Sequence, residues 1–170
     1  MKESDRKKFH GTLAVGYTVL LLGSASLAPS AWIFVENHIA WHNQFPKLLA
    51  LLAILPMSFF LRDSARILFF LVSVGLFFYA MTRLERAIEQ IHFIEYGLLS
   101  YFLYRFFKHF LKSPWDFIGS VAGAFGIGVV DELFQGLLPN RFCDPRDLLI
   151  NFWSAGLGML VVASVTPRPL

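Results

Sequence analysis

Three short groups of polar residues stand out in this chain because each lies inside or beside an apolar run. Asp131 and Glu132 follow the run from Gly119 to Val130, and Gln135 comes one turn later. On a helix Asp131 and Gln135 share a face, while Glu132 points about 100° away. His92, Glu95 and Tyr96 are spaced i, i+3 and i+4, which makes one polar stripe on an otherwise apolar helix. Asp147 and Asn151 are again one turn apart. The loop before them, Pro139-Asn140-Arg141-Phe142-Cys143-Asp144-Pro145-Arg146, carries tight-turn chemistry. Carboxylates and an imidazole are the groups of acid/base catalysis, and a guanidinium such as Arg141 forks onto phosphate or carboxylate oxygens.

Each group also has a plainer use. Arg141 or Arg146 can pair Asp131 and Glu132 and lock the loop, and this reading stands beside that of a pocket for an anionic or sugar-bearing head group. His92 and Glu95 either join an acid/base site or are satisfied by hydrogen bonds between helices. Capping of the following helix explains Asp144 or Asp147. No second histidine lies in a matching motif, so neither a metal nor a cofactor is expected. His38 and His42, near Trp41, read as interfacial. His10 and His109 sit in basic segments without visible chemistry, and Cys143 has no thiol partner. Gly119, Gly123, Ala155, Gly156 and Gly158 read as small residues that let helices approach.

The elements that position these groups must live in lipid. Of 170 residues 56% are hydrophobic, 19 are Phe and 16% are charged, with a mean hydropathy of +0.56. A soluble domain carries about 25% charged residues, so this chain cannot cover itself with polar groups in water. The net charge of +3 and pI near 9.2 do not indicate nucleic acid, because the basic residues form short clusters between apolar runs, as in proteins that such clusters orient in a membrane. Six runs are expected to form an all-α bundle of short transmembrane helices: Gly11 to Pro29, Leu48 to Leu61, Ile67 to Met81, Ile91 to Phe107, Trp115 to Val130 and Leu148 to Val165. Several are shorter than the ~20 residues that cross a bilayer core. Lys7, Lys8 and Ser24-Ala25-Ser26 resemble a secretory signal, but more membrane segments follow, which favours retention of the first span.

Ten of the fifteen Lys and Arg residues fall on the side of the N-terminus and five on the other. The bias places both termini in the cytoplasm. The fourth run then starts outside, the fifth ends outside and the sixth starts outside. All three polar groups are therefore expected at one extracytoplasmic end, as a shallow polar pocket.

The pattern His92-Phe93 with Tyr96, then Asp131-Glu132 with Gln135, then Pro139, Arg141, Asp144, Asp147 and Asn151 resembles the VanZ-like family, bacterial membrane proteins named after a glycopeptide (teicoplanin) resistance protein. The resemblance covers about Ile91 to Val165. Within a single membrane domain, 1–170, it makes 91–165 the VanZ-like core and 1–90 a set of N-terminal spans, in which Lys47 to Met81 looks like an added hairpin. Glu95 stands where family members more often have an uncharged residue. The resemblance implies a multi-pass protein of the bacterial cytoplasmic (inner) membrane, part of the cell envelope, acting near cell-wall precursors or their lipid carriers. It supplies no established reaction, and whether the protein is an enzyme stays open.

The leading expectation is an envelope protein that binds membrane lipid, namely a lipid-linked wall precursor or polyprenyl phosphate, at its outer face through His92, Asp131, Glu132, Gln135, Arg141, Asp147 and Asn151. Arg141 holds the anion, Gln135 and Asn151 donate hydrogen bonds, and the acids orient Arg141 or meet hydroxyls. The alternatives are a membrane-embedded enzyme acting on such a lipid, with His92 as acid and Asp131 or Glu132 as base, and a small transporter. The transporter fits less well, because carriers place their site near the midplane.

Overall fold

In lipid, backbone N–H and C=O groups find no water, so an apolar chain satisfies them within itself by coiling into helices. The computed structural model describes residues 2–24, 33–35, 37–38, 44–61, 63–138 and 143–166, and no strand occurs among them. Six helices of ten residues or more follow one another: α1 (Glu3–Ser24), α2 (Phe45–Ile54), α3 (Ser64–Thr82), α4 (Ala87–Phe107), α5 (Trp115–Leu137) and α6 (Pro145–Val165). A 3-10 turn, Leu55–Phe60, extends α2. Polar side chains fix several starts. The Arg66 N–H donates to the Asp63 carboxylate ahead of α3 (2.8 Å), and the Arg146 N–H donates to that of Asp144 ahead of α6 (2.9 Å), with Pro145 in the first turn. Asp144 thus takes the capping role expected of it or Asp147.

α4 is the hub of the bundle. It packs against α1, α2, α5 and α6, and α6 in turn reaches α3 and α5. One apolar cluster joins Phe77 and Met81 of α3 to Phe93 and Ile94 of α4 and Ile150 and Val161 of α6. Another joins Ala14 and Leu21 of α1 to Tyr96, Leu99 and Leu103 of α4, Ala124 of α5 and Ala155 of α6. α4 and α6 approach each other closely at a pair of glycines. A Cβ built on Gly158 would lie 2.9 Å from the Gly97 Cα and 3.0 Å from its carbonyl oxygen, so only glycine permits this crossing. One turn away, Ser154 Oγ donates to the Phe93 carbonyl. Of the two glycines of the α6 set, Gly158 is the one placed against another backbone, whereas a Cβ on Gly156 would meet nothing within 4 Å.

Three helices, α3, α5 and α6, are long and apolar enough to cross a membrane. Their outer faces expose Leu68, Leu71 and Val72 on α3, Ile118 and Leu133 on α5, and Leu149 and Trp153 on α6, which is a surface for hydrocarbon rather than water. Six spans were expected, and among the described residues three meet this standard; the end of the first expected span, residues 25–29, lies outside them. The stretch Phe45–Phe60 is apolar but only 16 residues long, short of the ~20 needed. α4 has 21 residues, but Glu89, His92, Glu95 and Arg105 lower its apolarity. Those groups are tolerable because α4 turns them toward neighbouring helices. The result is a multi-pass helical membrane bundle.

Candidate functional site

The first turns of α4 and α6 and the last turns of α5 meet at one end of the bundle, and the three polar groups meet with them. Asp131 on α5 is the centre, with no exposed surface. Its Oδ2 accepts from Tyr96 Oη (3.0 Å) and from Gln135 Nε2 (3.1 Å), and His92 Nε2 lies 3.4 Å away. The other ring nitrogen, His92 Nδ1, is 3.1 Å from Glu95 Oε2. Both imidazole nitrogens therefore face carboxylate oxygens, an arrangement that a protonated imidazole satisfies by donating to each. The helical spacings read from the sequence are realised directly: Gln135 reaches back one turn to Asp131, and His92, Glu95 and Tyr96 form one stripe.

Glu132 points elsewhere, as its position on the helix requires. It is buried, and its Oε2 accepts the Asp144 backbone N–H at 3.0 Å. This tie holds the start of α6 to the end of α5. Asn151, also without exposed surface, packs at Gly128: a Cβ there would lie 3.0 Å from Asn151 Nδ2 and 3.2 Å from Tyr96 Cε1. Gly128 is one turn before Asp131, and it makes the room that lets α4 and α6 bring Tyr96 and Asn151 against α5. Asp147, half-buried in the first turn of α6, adds a carboxylate to the field around Glu132 and His92.

Among the described residues, several atoms of this cluster have no hydrogen-bond partner: Asp131 Oδ1, Glu132 Oε1, and both amide atoms of Asn151. Burial of such groups without partners costs about 1–3 kcal/mol each, so they are candidates for contact with a ligand or water. The cluster is rich in acid. Glu95, Asp131, Glu132 and Asp147 surround one histidine, and no group of His, Cys, Asp or Glu among the described residues is arranged to hold a metal.

Of the residues singled out from sequence, His92, Asp131, Glu132, Gln135, Asp147 and Asn151 come together, while Arg141, with Pro139 and Asn140, lies outside the described residues. The alternative lock through Arg146 is not formed with Asp131 or Glu132. Arg146 Nη1 instead stands 3.4 Å from Glu89 Oε1, at the N-terminal turn of α4. Sequence reasoning passed over Glu89 and Gly128. Glu89 sits one turn before His92, and Gly128 one turn before Asp131, so extending each polar face by a turn would have found both. Trp41 and His42 also lie outside the described residues. His38 is exposed and its Nδ1 is 2.8 Å from the Phe34 carbonyl.

A second polar cluster occupies the other end of α4, about 20 Å from His92 at 1.5 Å per residue. His10 Nδ1 and His109 Nε2 are 2.8 Å apart with stacked rings, and Arg105 Nη2 is 2.8 Å from His10 Nε2. No sequence motif announced it, because its members are far apart in the chain.

Comparison with known proteins yields no curated protein and no solved structure with a significant match. A family model does match, over residues 15–166, a range that takes in the second half of α1, α2 and α3 as well as the helices bearing the polar cluster. With the match spanning nearly the whole chain and the apolar helices in place, this multi-pass membrane protein belongs to the VanZ/LLP1 family.

Proposed function

We propose that the polar cluster binds the head group of a lipid-linked cell-wall precursor at the outer face of the bacterial inner membrane. The observation that carries the reading is the set of buried, unpartnered atoms on three side chains, Asp131 Oδ1, Glu132 Oε1 and the Asn151 amide, gathered at one end of an apolar bundle. Ionisable groups held in such surroundings are expensive and mark functional sites. Two carboxylate oxygens accept from hydroxyl or amide N–H donors, and the Asn151 amide offers both a donor and an acceptor. The excess of carboxylates over cations disfavours a bare phosphate in this cluster and favours the sugar or peptide portion of the lipid. Arg141 then holds the phosphate portion from the loop. In this reading all six helices traverse or enter the bilayer, both termini are cytoplasmic, and residues 91–165 form the part that recognises the ligand, with 1–90 buttressing α4.

The test is native mass spectrometry of the protein released from bacterial membranes. Wild type is expected to carry a saccharide-bearing polyprenyl lipid that is lost in Glu132→Gln and in Arg141→Ala. Equal occupancy of the three proteins rules the reading out, and leaves the cluster as a structural tie between α4, α5 and α6.

One observation favours a catalytic variant of this reading. His92 is held by carboxylates on both ring nitrogens, a setting suited to proton transfer. Turnover of the purified lipid that disappears in His92→Ala, while the lipid still binds, distinguishes an enzyme from a binding protein.

A further inference from the structure

A groove of about 430 Å³ runs between α3 and α6. Phe93 and Ile150 line it, while their neighbours His92 and Asn151 turn into the polar cluster, so groove and cluster occupy different faces of α4 and α6. From Arg146 to Leu157, both in its lining, the groove follows eleven residues of α6, about 16 Å at 1.5 Å per residue.

Its two ends differ in chemistry. Leu76, Trp153 and Leu157 make the long wall apolar, and Arg83, just past the end of α3, and Arg146, in the first turn of α6, line its mouth. Arg83 is exposed; its Nη2 donates to Tyr79 Oη at 2.5 Å and its guanidinium lies 4.9 Å from the Tyr79 ring centre. It has no carboxylate partner among the described residues. Arg146 is half-exposed, stands 3.4 Å from Glu89 and lies within the field of Asp147. The lining of the groove thus holds two guanidiniums and no carboxylate, and Arg83 is the one without an acid beside it among the described residues. The larger basic segment, with Lys7, Arg105 and Lys108, lies at the opposite end of α4, so these two arginines are not part of the charge cluster that orients the chain.

We propose that the α3–α6 groove binds a phosphate-bearing anionic lipid, its phosphate held between Arg83 and Arg146 and one hydrocarbon chain laid along α6. The guanidinium fork matches phosphate oxygens and keeps its charge beside hydrocarbon, where lysine is less suited. Tyr79 pre-orients Arg83, which lessens the ordering cost of binding. The lining of the groove includes none of the residues of the polar cluster, so this site stands whether or not the cluster binds a wall precursor.

The experiment is native mass spectrometry of purified protein offered equal amounts of phosphatidylglycerol and phosphatidylcholine. Wild type is expected to retain phosphatidylglycerol in preference by about tenfold, the effect of a charge-assisted contact. Arg83→Gln with Arg146→Gln brings the two lipids to parity. Leu76→Trp, which fills the groove and leaves both arginines, removes the adduct, whereas Glu132→Gln, which tests the polar cluster, leaves it in place. Equal preference in wild type and the double glutamine variant overturns the proposal, as does an adduct that Leu76→Trp does not displace. Inorganic phosphate offered without lipid is expected to give no adduct. An adduct that the glutamine pair abolishes would reassign the mouth to free phosphate and refute the lipid site.

Discussion

Two glycines on one helix, two residues apart, should respond oppositely to the same substitution. At Gly158 a new methyl lies 2.9–3.0 Å from the Gly97 backbone, against the 3.4–4 Å of ordinary contact. Neither atom is the end of a flexible side chain, so Gly158→Ala must push α4 and α6 apart by about half an ångström or more. Overpacking of this kind costs about 1–3 kcal/mol, partly offset by the ~1 kcal/mol by which alanine is the better helix former. At Gly156 a methyl meets nothing within 4 Å, so Gly156→Ala keeps the propensity gain alone. The two variants are expected to differ by about 2 kcal/mol. At 2–4 °C per kcal/mol for a chain of this size, that is about 4–8 °C in melting temperature. Thermal melts in one mild detergent, followed by helical circular dichroism, read the difference directly. Gly158→Ala should also weaken any ligand retention, since the same α4–α6 crossing sets Tyr96 and Asn151 against α5. Equal melting temperatures, or a greater loss for Gly156→Ala, would falsify the claim that backbone contact at Gly97 fixes these helices.

Tyr96→Phe removes one donor from the buried Asp131 carboxylate, and a bond to a charged group is worth about 1.5–3 kcal/mol; a double-mutant cycle with Asp131→Asn should therefore give a coupling of at least about 0.5 kcal/mol, and strict additivity would disprove the contact. Asn151→Leu replaces two unpartnered buried polar atoms with hydrocarbon of similar size, so it is expected to raise the melting temperature while abolishing head-group binding; a less stable protein that still binds would contradict the assignment. At the other end of α4, burial and then the neighbouring Lys108 and Lys7 hold the His109 pKa below its ordinary value of 6.5, despite the opposing Glu3. The folded state thus binds fewer protons than the unfolded one near that pH, so stability is present above about 6.5 and falls as the pH drops through it. Melting temperatures between pH 7.5 and 5.5 should show this decline, with a shallower slope in His109→Asn, and an unchanged slope would remove His109 as its source.

The amino-acid sequence was enough to say that this chain lives in lipid, because 56% hydrophobic residues and 16% charged ones leave no other solvent for it. It was also enough to place polar residues on common helix faces, since a helix has a fixed period. Gln135 therefore meets Asp131, and His92 meets Glu95, as their spacing requires. The choice among partners for the remaining charges was made by packing between helices that are distant in the chain. Arg146 goes to Glu89 and not to Asp131 or Glu132, and Glu132 goes to the Asp144 backbone, because α4, α5 and α6 converge at these particular angles. The same holds for Gly97 and Gly158, whose contact belongs to neither helix alone. Hydropathy leaves α4 outside the set of membrane-length apolar helices, because its polar stripe lowers its apolarity although its neighbours bury much of it. Local periodicity is a property of one segment and can be read along the chain. Which buried polar atoms are satisfied, and which are left without a partner, depends on three segments at once and emerges only when the bundle closes.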